Sequence, residues 1–340
     1  MESKRIEFID YLNIFCCLSV IALHCNGCFW NFSYERYWIT SVFIECIFYF
    51  AVPVFFMISG VNLIDYRDKY DIKMFLKKRL VKIFIPFLFW SIVWILITKQ
   101  YRGKDLLDIL EIIVHTKAQG VYWFFIPLFS VYLSIPIFGL IDKESRKYAY
   151  EYIVGLSILF VATLPLVCNL LKISYNYGLV PYISAGYLMY PLMGWLFFNC
   201  YKFTLRQRKI IYVAGLIGLL TRLLTVLFWS LDAGKIINVM GGYTALPTVA
   251  YSSAVFVLFQ YDLERIVNFE YLRRFNLTKI AGYSFGVYLL HMGVIKFLTK
   301  VISFSTYSIW WRTLGVLVVY GLCVLCVVVL RKIPFLNRIV

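Results

Sequence analysis

The chain has 340 residues, of which 62% are hydrophobic and only 15% are charged. Soluble domains are about 45–50% apolar and about 25% charged, so this composition excludes a water-soluble globular protein. The net charge of +16 does not indicate nucleic-acid binding, because the charges lie in short segments between apolar runs. We therefore predict an integral membrane protein that resides in the cell membrane and crosses it several times.

Apolar runs of about 20 residues, the length that crosses a bilayer, predict about ten transmembrane helices. The predicted spans are 9–30, 38–63, 80–98, 120–140, 151–170, 181–199, 209–231, 241–261, 280–300 and 309–331. No repeat at a fixed period and no soluble segment of domain size interrupts them. The prediction is an all-α polytopic protein in which residues 1–340 form one transmembrane domain.

The orientation follows from the basic residues. Of the 34 lysines and arginines, 23 lie in the segments on the side of the two termini, and only seven lie in the opposite loops. The positive-inside rule then predicts that both termini are cytoplasmic. On the outside, 105–115 has the apolar spacing of a short interfacial helix, and on the inside 262–279 has a similar pattern.

Two CxxC pairs, Cys25–Cys28 and Cys323–Cys326, have a spacing that zinc sites use. The first pair lies at the outer end of the first predicted helix. Cys323 lies ~21 Å below the outer end of the last one, so the two pairs cannot share one ion. We predict no metal site and interpret the cysteines as small packing residues.

Ionisable side chains inside a bilayer are costly and usually functional. Within the predicted spans, the candidates are His24, Glu45, Arg222 and His291. His24 and Glu45 lie ~22 Å and ~27 Å from the cytoplasmic ends of neighbouring antiparallel helices, so their depths are similar. A carboxylate beside an imidazole would give a general base, and the alternative is a polar pair that only joins two helices.

A basic segment precedes the third predicted helix and contains Lys78, Arg79 and Lys82. Anchoring to anionic lipid explains most of this charge. Arg79 and Lys82 are three residues apart, however, and would share a helix face that could hold a phosphate-rich ligand.

Five segments resemble motifs of one family when they are read together. They are Arg5-Ile-Glu-Phe-Ile-Asp10-Tyr-Leu-Asn13 followed by His24, Val52-Pro-Val-Phe-Phe-Met-Ile-Ser59-Gly60, Phe75-Leu-Lys-Lys-Arg79-Leu-Val-Lys82, Tyr122-Trp123-Phe124 through Pro136, and Tyr283-Ser-Phe-Gly-Val-Tyr288-Leu-Leu-His291. In this order they resemble the acyltransferase-3 family of integral-membrane O-acyltransferases. Each match is weak alone, and together they extend over nearly the whole chain.

The resemblance implies transfer of an acyl group, usually acetyl from cytoplasmic acetyl-CoA, to a hydroxyl of a cell-surface glycan or lipid-linked sugar. It assigns the catalytic role to His24 and makes Arg79 the first residue of a paired-arginine motif whose second position is Lys82. The family usually has an arginine where this chain has Asn13. Arg222 is our candidate for replacing that charge at the acyl donor.

We therefore predict an O-acetyltransferase in which His24 is the general base and Glu45 orients it. The donor phosphates are predicted to bind the basic side chains, and three further motif residues are predicted to contact substrate: Ser59, Trp123 and His291. The expected partners are acetyl-CoA, the sugar acceptor and membrane lipids. The alternative is a proton-coupled carrier or flippase for a glycolipid or small polar solute, which the intramembrane acid and histidines would also suit.

Overall fold

The computed structural model describes residues 7–266, 277–303 and 305–340, and all regular elements in these ranges are helices. In chain order they are α1 (Glu7–Cys25), α2 (Arg36–Phe48), α3 (Ala51–Leu63), α4 (Ile72–Arg79), α5 (Ile85–Ile97), α6 (Leu106–Val114), α7 (Phe125–Leu140), α8 (Lys143–Ser157), α9 (Leu164–Leu170), α10 (Met189–Asn199), α11 (Leu205–Ala233), α12 (Leu246–Tyr261), α13 (Leu263–Ile266), α14 (Leu277–Ala281), α15 (Ser284–Ile302) and α16 (Ile309–Leu330). Wider π-helical turns, Leu80–Phe84 and Ile158–Thr163, join α4 to α5 and α8 to α9.

Seven helical runs in the described part of the chain are long and apolar enough to cross a membrane. They are Glu7–Cys25, Arg36–Asp68, Ile72–Ile97, Gly120–Leu140, Lys143–Leu170, Leu205–Ala233 and Ile309–Leu330. The other three predicted spans contain α10, α12 and α15, of which α10 and α12 have only 11 and 16 residues. The all-helical class is confirmed and is consistent with a polytopic membrane protein, whereas the count of ten remains a prediction.

The short helix predicted at 105–115 is present as α6. Its start is a reciprocal cap: the Asp105 carboxylate accepts the Asp108 backbone N–H at 2.8 Å, and the Asp108 carboxylate accepts the Asp105 N–H at 3.2 Å. Leu106 and Leu107 are exposed while Ile112 is buried, which gives α6 the predicted amphipathic character. The similar pattern at 262–279 lies mostly outside the described residues.

Ion pairs group the loops that were predicted to share one side. Arg146 Nη1 lies 2.6 Å from Asp65 Oδ1, and the Trp195 indole N–H donates to Asp65 Oδ2 at 2.8 Å. Arg208 Nη1 lies 2.6 Å from Asp262 Oδ1. These contacts join the ends of α3 and α8, and of α11 and α12, at points that the predicted topology assigns to the inner surface.

Arg312, near the start of α16, organises loops that were predicted to lie on the opposite side. Its buried guanidinium donates to the Thr40 hydroxyl at 2.9 Å and to the backbone carbonyls of Tyr37 and Tyr307, both at 3.0 Å. A hydrogen-bonded arginine of this kind satisfies its donors without a carboxylate. The two sets of contacts agree with the predicted grouping of loops, and which group faces the cytoplasm remains a prediction.

The centre of the bundle is the crossing of α3 and α10, where two glycines allow the backbones to touch. A Cβ added to Gly60 would overlap the Pro191 carbonyl, and a Cβ added to Gly194 would overlap the Met57 carbonyl. Small residues are what let helix backbones approach this closely in membranes. The crossing fixes α3, whose other face borders the cavity described next.

Candidate functional site

A cavity of about 540 Å³ lies among α1, α3, α7 and α15. Asn13 and His24, both on α1, line it. Because these residues are 11 positions apart on a helix that rises 1.5 Å per residue, the cavity extends along ~16 Å of α1. Arg79 lines one end together with Asn13, and Trp123 and Glu45 line the wall with His24.

At the first end, Arg79 is held by aromatic side chains. Its guanidinium carbon lies 5.6 Å from the ring centroids of both Phe75 and Tyr132. Its Nε atom is buried and has no hydrogen-bond partner. Asn13, at the same end, donates its amide N–H to the Ala281 carbonyl at 3.4 Å. The predicted donor-binding residue Arg79 therefore has free donor capacity at the cavity wall.

The other basic residues of the segment do not reach this wall. Lys82 is exposed, and Lys78 lies over the Tyr70 ring with its Nζ atom 3.7 Å from the centroid. Arg79 lines the cavity and Lys82 does not, so a shared ligand-binding face of the two residues stays a prediction. A π-helical turn follows Arg79, in which the Ile85 N–H bonds to the Leu80 carbonyl five residues earlier.

At the other end, His24 has a histidine for a neighbour. The rings of His24 and His291 have centroids 5.1 Å apart and planes inclined by 38°. His291 is fully buried, and its Nδ1 lies 2.6 Å from the Tyr288 carbonyl oxygen. His291 does not line the cavity, so the predicted substrate contact would have to pass through His24.

Glu45 also lines the cavity, and its neighbours differ from those predicted. No hydrogen bond joins Glu45 to His24 among the described side chains. The Glu45 carboxylate instead interacts electrostatically with Arg222 and approaches the Asn26 amide. The direct hydrogen bond implied by the His24–Glu45 pairing is therefore absent. Similar depth on two helices did not fix their rotation, and α2 directs Glu45 toward α11.

Arg222 lies beside α2 and not beside Arg79. Its guanidinium carbon is 3.2 Å from the Tyr49 ring centroid, and its three nitrogens are buried without hydrogen-bond partners. Arg222 is 17 residues, or ~26 Å, along α11 from Leu205, whereas Arg208 pairs at the first turn of that helix. The structure does not bring Arg222 to the end of the cavity where the donor phosphates were predicted to bind.

The two remaining predicted substrate contacts both line the cavity. The Trp123 ring stacks on Tyr243, with centroids 5.4 Å apart, and Tyr243 stacks on Tyr49 at 4.3 Å. With Arg222 on the far face of Tyr49, these side chains form a four-layer stack along the wall. The Ser59 hydroxyl donates to the Phe55 carbonyl at 3.0 Å, so its oxygen lone pairs are available to a ligand.

Metal ligands are not grouped in the described ranges, 7–266, 277–303 and 305–340. They contain no cluster of three or more His, Cys, Asp or Glu side chains with the geometry to hold an ion. Cys25, Cys28 and Cys323 are free and buried, and Cys326 is free and exposed.

Sequence reasoning did not identify Tyr49, Tyr243 or the pairing of the two histidines. Tyrosine is too common in this chain, with 27 copies, for one of them to be singled out. His24 and His291 are the two histidines within predicted spans, and this could have indicated that they are in contact. The order of motifs along the chain does not show which helices are neighbours, so the contact was not predicted.

Comparisons with known proteins identify the family of the chain. The model of a family described as an acyltransferase domain, acyltransferase-3, matches residues 6–330. Nodulation protein NolL of Mesorhizobium japonicum is 24% identical over 164 residues, which are 47% of this chain and 41% of that protein. The match thus spans less than half of that relative, and no solved structure matches. Since the family model covers nearly the whole chain, this protein belongs to the acyltransferase-3 family.

Proposed function

We propose that the protein transfers an acetyl group from cytoplasmic acetyl-CoA to a hydroxyl of a cell-surface glycan or lipid-linked sugar. The observation that carries the proposal is the cavity, which has Arg79 and Asn13 at one end and His24 at the other, ~16 Å farther along α1 than Asn13. A thin, extended donor that is anionic at one end and reactive at the other fits this arrangement. The family membership supports the acyl transfer itself.

The donor end suits the phosphates of CoA. The planar guanidinium of Arg79 offers two parallel N–H donors to a phosphate, and its aromatic neighbours limit its side-chain motion. Lys78 and Lys82 lie outside the wall and add long-range attraction for an anion near the entrance. Apolar side chains then border the path of the pantetheine arm, among them Ile83 and Leu128.

His24 lies where the thioester would end, and its chemistry fits the transfer. An alcohol is a weak nucleophile at neutral pH and needs a base. In the proposed step, the His24 imidazole takes the hydroxyl proton while the acceptor oxygen attacks the thioester carbonyl carbon. The carbon–sulfur bond breaks, and the CoA sulfur leaves with the proton from the imidazolium. Negative charge develops on the thioester carbonyl oxygen during this step. The Trp123 N–H and the Tyr49 O–H, which belong to the cavity wall, are the donors that stabilise it.

The aromatic wall suits a sugar acceptor. Tyr49, Tyr243 and Trp123 line the cavity as a stack, and Trp30, which also lines it, is 62% exposed. An exposed ring such as Trp30 can bind the apolar face of a sugar, while polar groups such as Glu45 can accept hydrogen bonds from its hydroxyls. The glycan class of the acceptor rests on this wall and on the resemblance of the motifs.

The test is transfer from radiolabelled acetyl-CoA by purified protein in detergent. The acceptor probe is the cell-envelope glycan fraction of a strain from which this gene has been deleted. Wild-type protein is expected to place alkali-labile label on the glycan, and His24→Ala is expected to abolish it while the protein remains folded. His115→Ala is the matched control, because His115 is exposed in the loop after α6.

Equal activity of His24→Ala and wild type would contradict the role of His24. Absence of ester formation by wild type, together with movement of labelled glycolipid across proteoliposomes, would contradict the enzyme and favour the carrier alternative. Because the chain has only three histidines, the role of each one can be tested by a single substitution.

A further inference from the structure

The hydrogen bonding of His291 fixes its tautomer. Its Nδ1 lies 2.6 Å from the Tyr288 backbone carbonyl oxygen. A carbonyl oxygen only accepts hydrogen bonds, so Nδ1 must carry the proton and donate it. The other ring nitrogen, Nε2, is then a bare acceptor in the neutral ring.

That acceptor is buried and unsatisfied. His291 has no exposed surface, and its Nε2 has no hydrogen-bond partner. Leaving a buried polar atom unpaired costs about 1–3 kcal/mol, so such atoms usually have a partner in the working protein. The Tyr288 ring lies 5.9 Å away, but its hydroxyl already donates to the Val121 carbonyl at 2.7 Å. It is therefore not the missing donor.

His24 is a ring in contact with His291 that can donate a hydrogen bond. The two ring centroids are 5.1 Å apart, a separation that admits an N–H···N hydrogen bond of about 3 Å after a small rotation of either ring. His24 lines the cavity, so its ring borders open space. Among the described side chains, Glu45 has no hydrogen bond to His24 or His291, and its electrostatic interactions are with Arg222 and Asn26.

We propose that His291 is the positioning residue of His24: its Nε2 accepts the N–H of one His24 ring nitrogen and so keeps the other nitrogen bare toward the cavity. This inference rests on the proposed function, in which that bare nitrogen receives the acceptor's proton. His291 keeps its own proton on Nδ1 throughout the reaction. It acts by holding the tautomer and angle of His24 and by stabilising the imidazolium through the shared hydrogen bond.

The kinetic test compares two substitutions of similar size. His291→Gln keeps an acceptor oxygen near the position of Nε2, and His291→Met fills the space without an acceptor. Both are assayed with acetyl-CoA and the glycan fraction of the deletion strain. We expect His291→Met to lower kcat at least 30-fold, or about 2 kcal/mol in barrier, with KM for acetyl-CoA changed less than threefold. His291→Gln should recover most of kcat, and Met292→Leu on the same helix should behave as wild type.

A second measurement does not depend on the reaction. Nitrogen-15 labelling of histidine reports the tautomer of each ring, and the chain contains only three histidines. We expect the His24 signals to show one tautomer in wild type and a mixture in His291→Met, with the protein equally folded by gel filtration. Unchanged His24 signals in His291→Met, or equal kcat losses for the Gln and Met variants, would overturn the inference. If wild type transfers no acyl group but the His24 tautomer still changes between wild type and His291→Met, the proposed function is overturned and the inference about His291 stands.

Discussion

Gly60→Ala tests the close crossing of α3 and α10. The added methyl group would overlap the Pro191 carbonyl and lie 2.6 Å from the Pro191 Cα atom. These neighbours are backbone atoms, which cannot rotate away as a side chain can. α3 and α10 must therefore separate, and the reciprocal contact of Gly194 with the Met57 backbone would be lost at the same time.

The expected cost is set by two opposing effects. Overpacking a close-packed core costs about 1–3 kcal/mol, and backbone contacts on both helices place this site at the upper end. Alanine has a higher helix propensity than glycine, which offsets about 0.8–1 kcal/mol. The net loss is about 2 kcal/mol in the free energy of unfolding, or a fall of about 3 °C in Tm for a chain of 340 residues.

The assay is thermal unfolding in detergent, followed by the change in tryptophan fluorescence. Gly321→Ala is the matched control, because it makes the same substitution within α16, where a Cβ would have no atom within 4 Å. We expect the control to match or slightly exceed wild type. A Gly60→Ala protein as stable as Gly321→Ala would refute the close crossing of α3 and α10. Ser59, next to Gly60, lines the cavity, so acyl transfer should fall together with stability.

Three further outcomes are expected. Arg79→Ala should weaken binding of radiolabelled CoA at least tenfold, whereas Lys82→Ala should change it less than threefold, because Lys82 is exposed and does not line the cavity. Equal effects of the two changes would reduce the segment to a lipid anchor. Glu45→Gln and Arg222→Met should not be additive in stability in detergent, with a coupling of about 0.5 kcal/mol or more, because the two side chains interact electrostatically; a purely additive double variant would contradict their coupling. A reporter fused after Lys235 should be extracellular, and a cytoplasmic reporter would reverse the predicted topology.

The helical class was readable from the sequence because it depends on local composition. Runs of apolar residues predict spans wherever hydrocarbon replaces water, since backbone groups must then be satisfied within the helix. The start of α6 was similarly local, because Asp105 and Asp108 cap each other within one turn. His24 and Arg79 were identified from short motifs and do line the cavity, as expected of residues that act on one extended ligand.

Only the tertiary structure decided which side chains meet. His24 neighbours His291 on α15, although nearly the whole chain separates them, and Glu45 faces Arg222 on α11. Similar depth leaves the rotation of each helix undetermined, and a rotation of one residue, about 100°, directs a side chain to a different neighbour. The sequence determines where helices form, because their hydrogen bonds are local, while the angle at which each one packs depends on contacts such as the Gly60 crossing that involve distant parts of the chain.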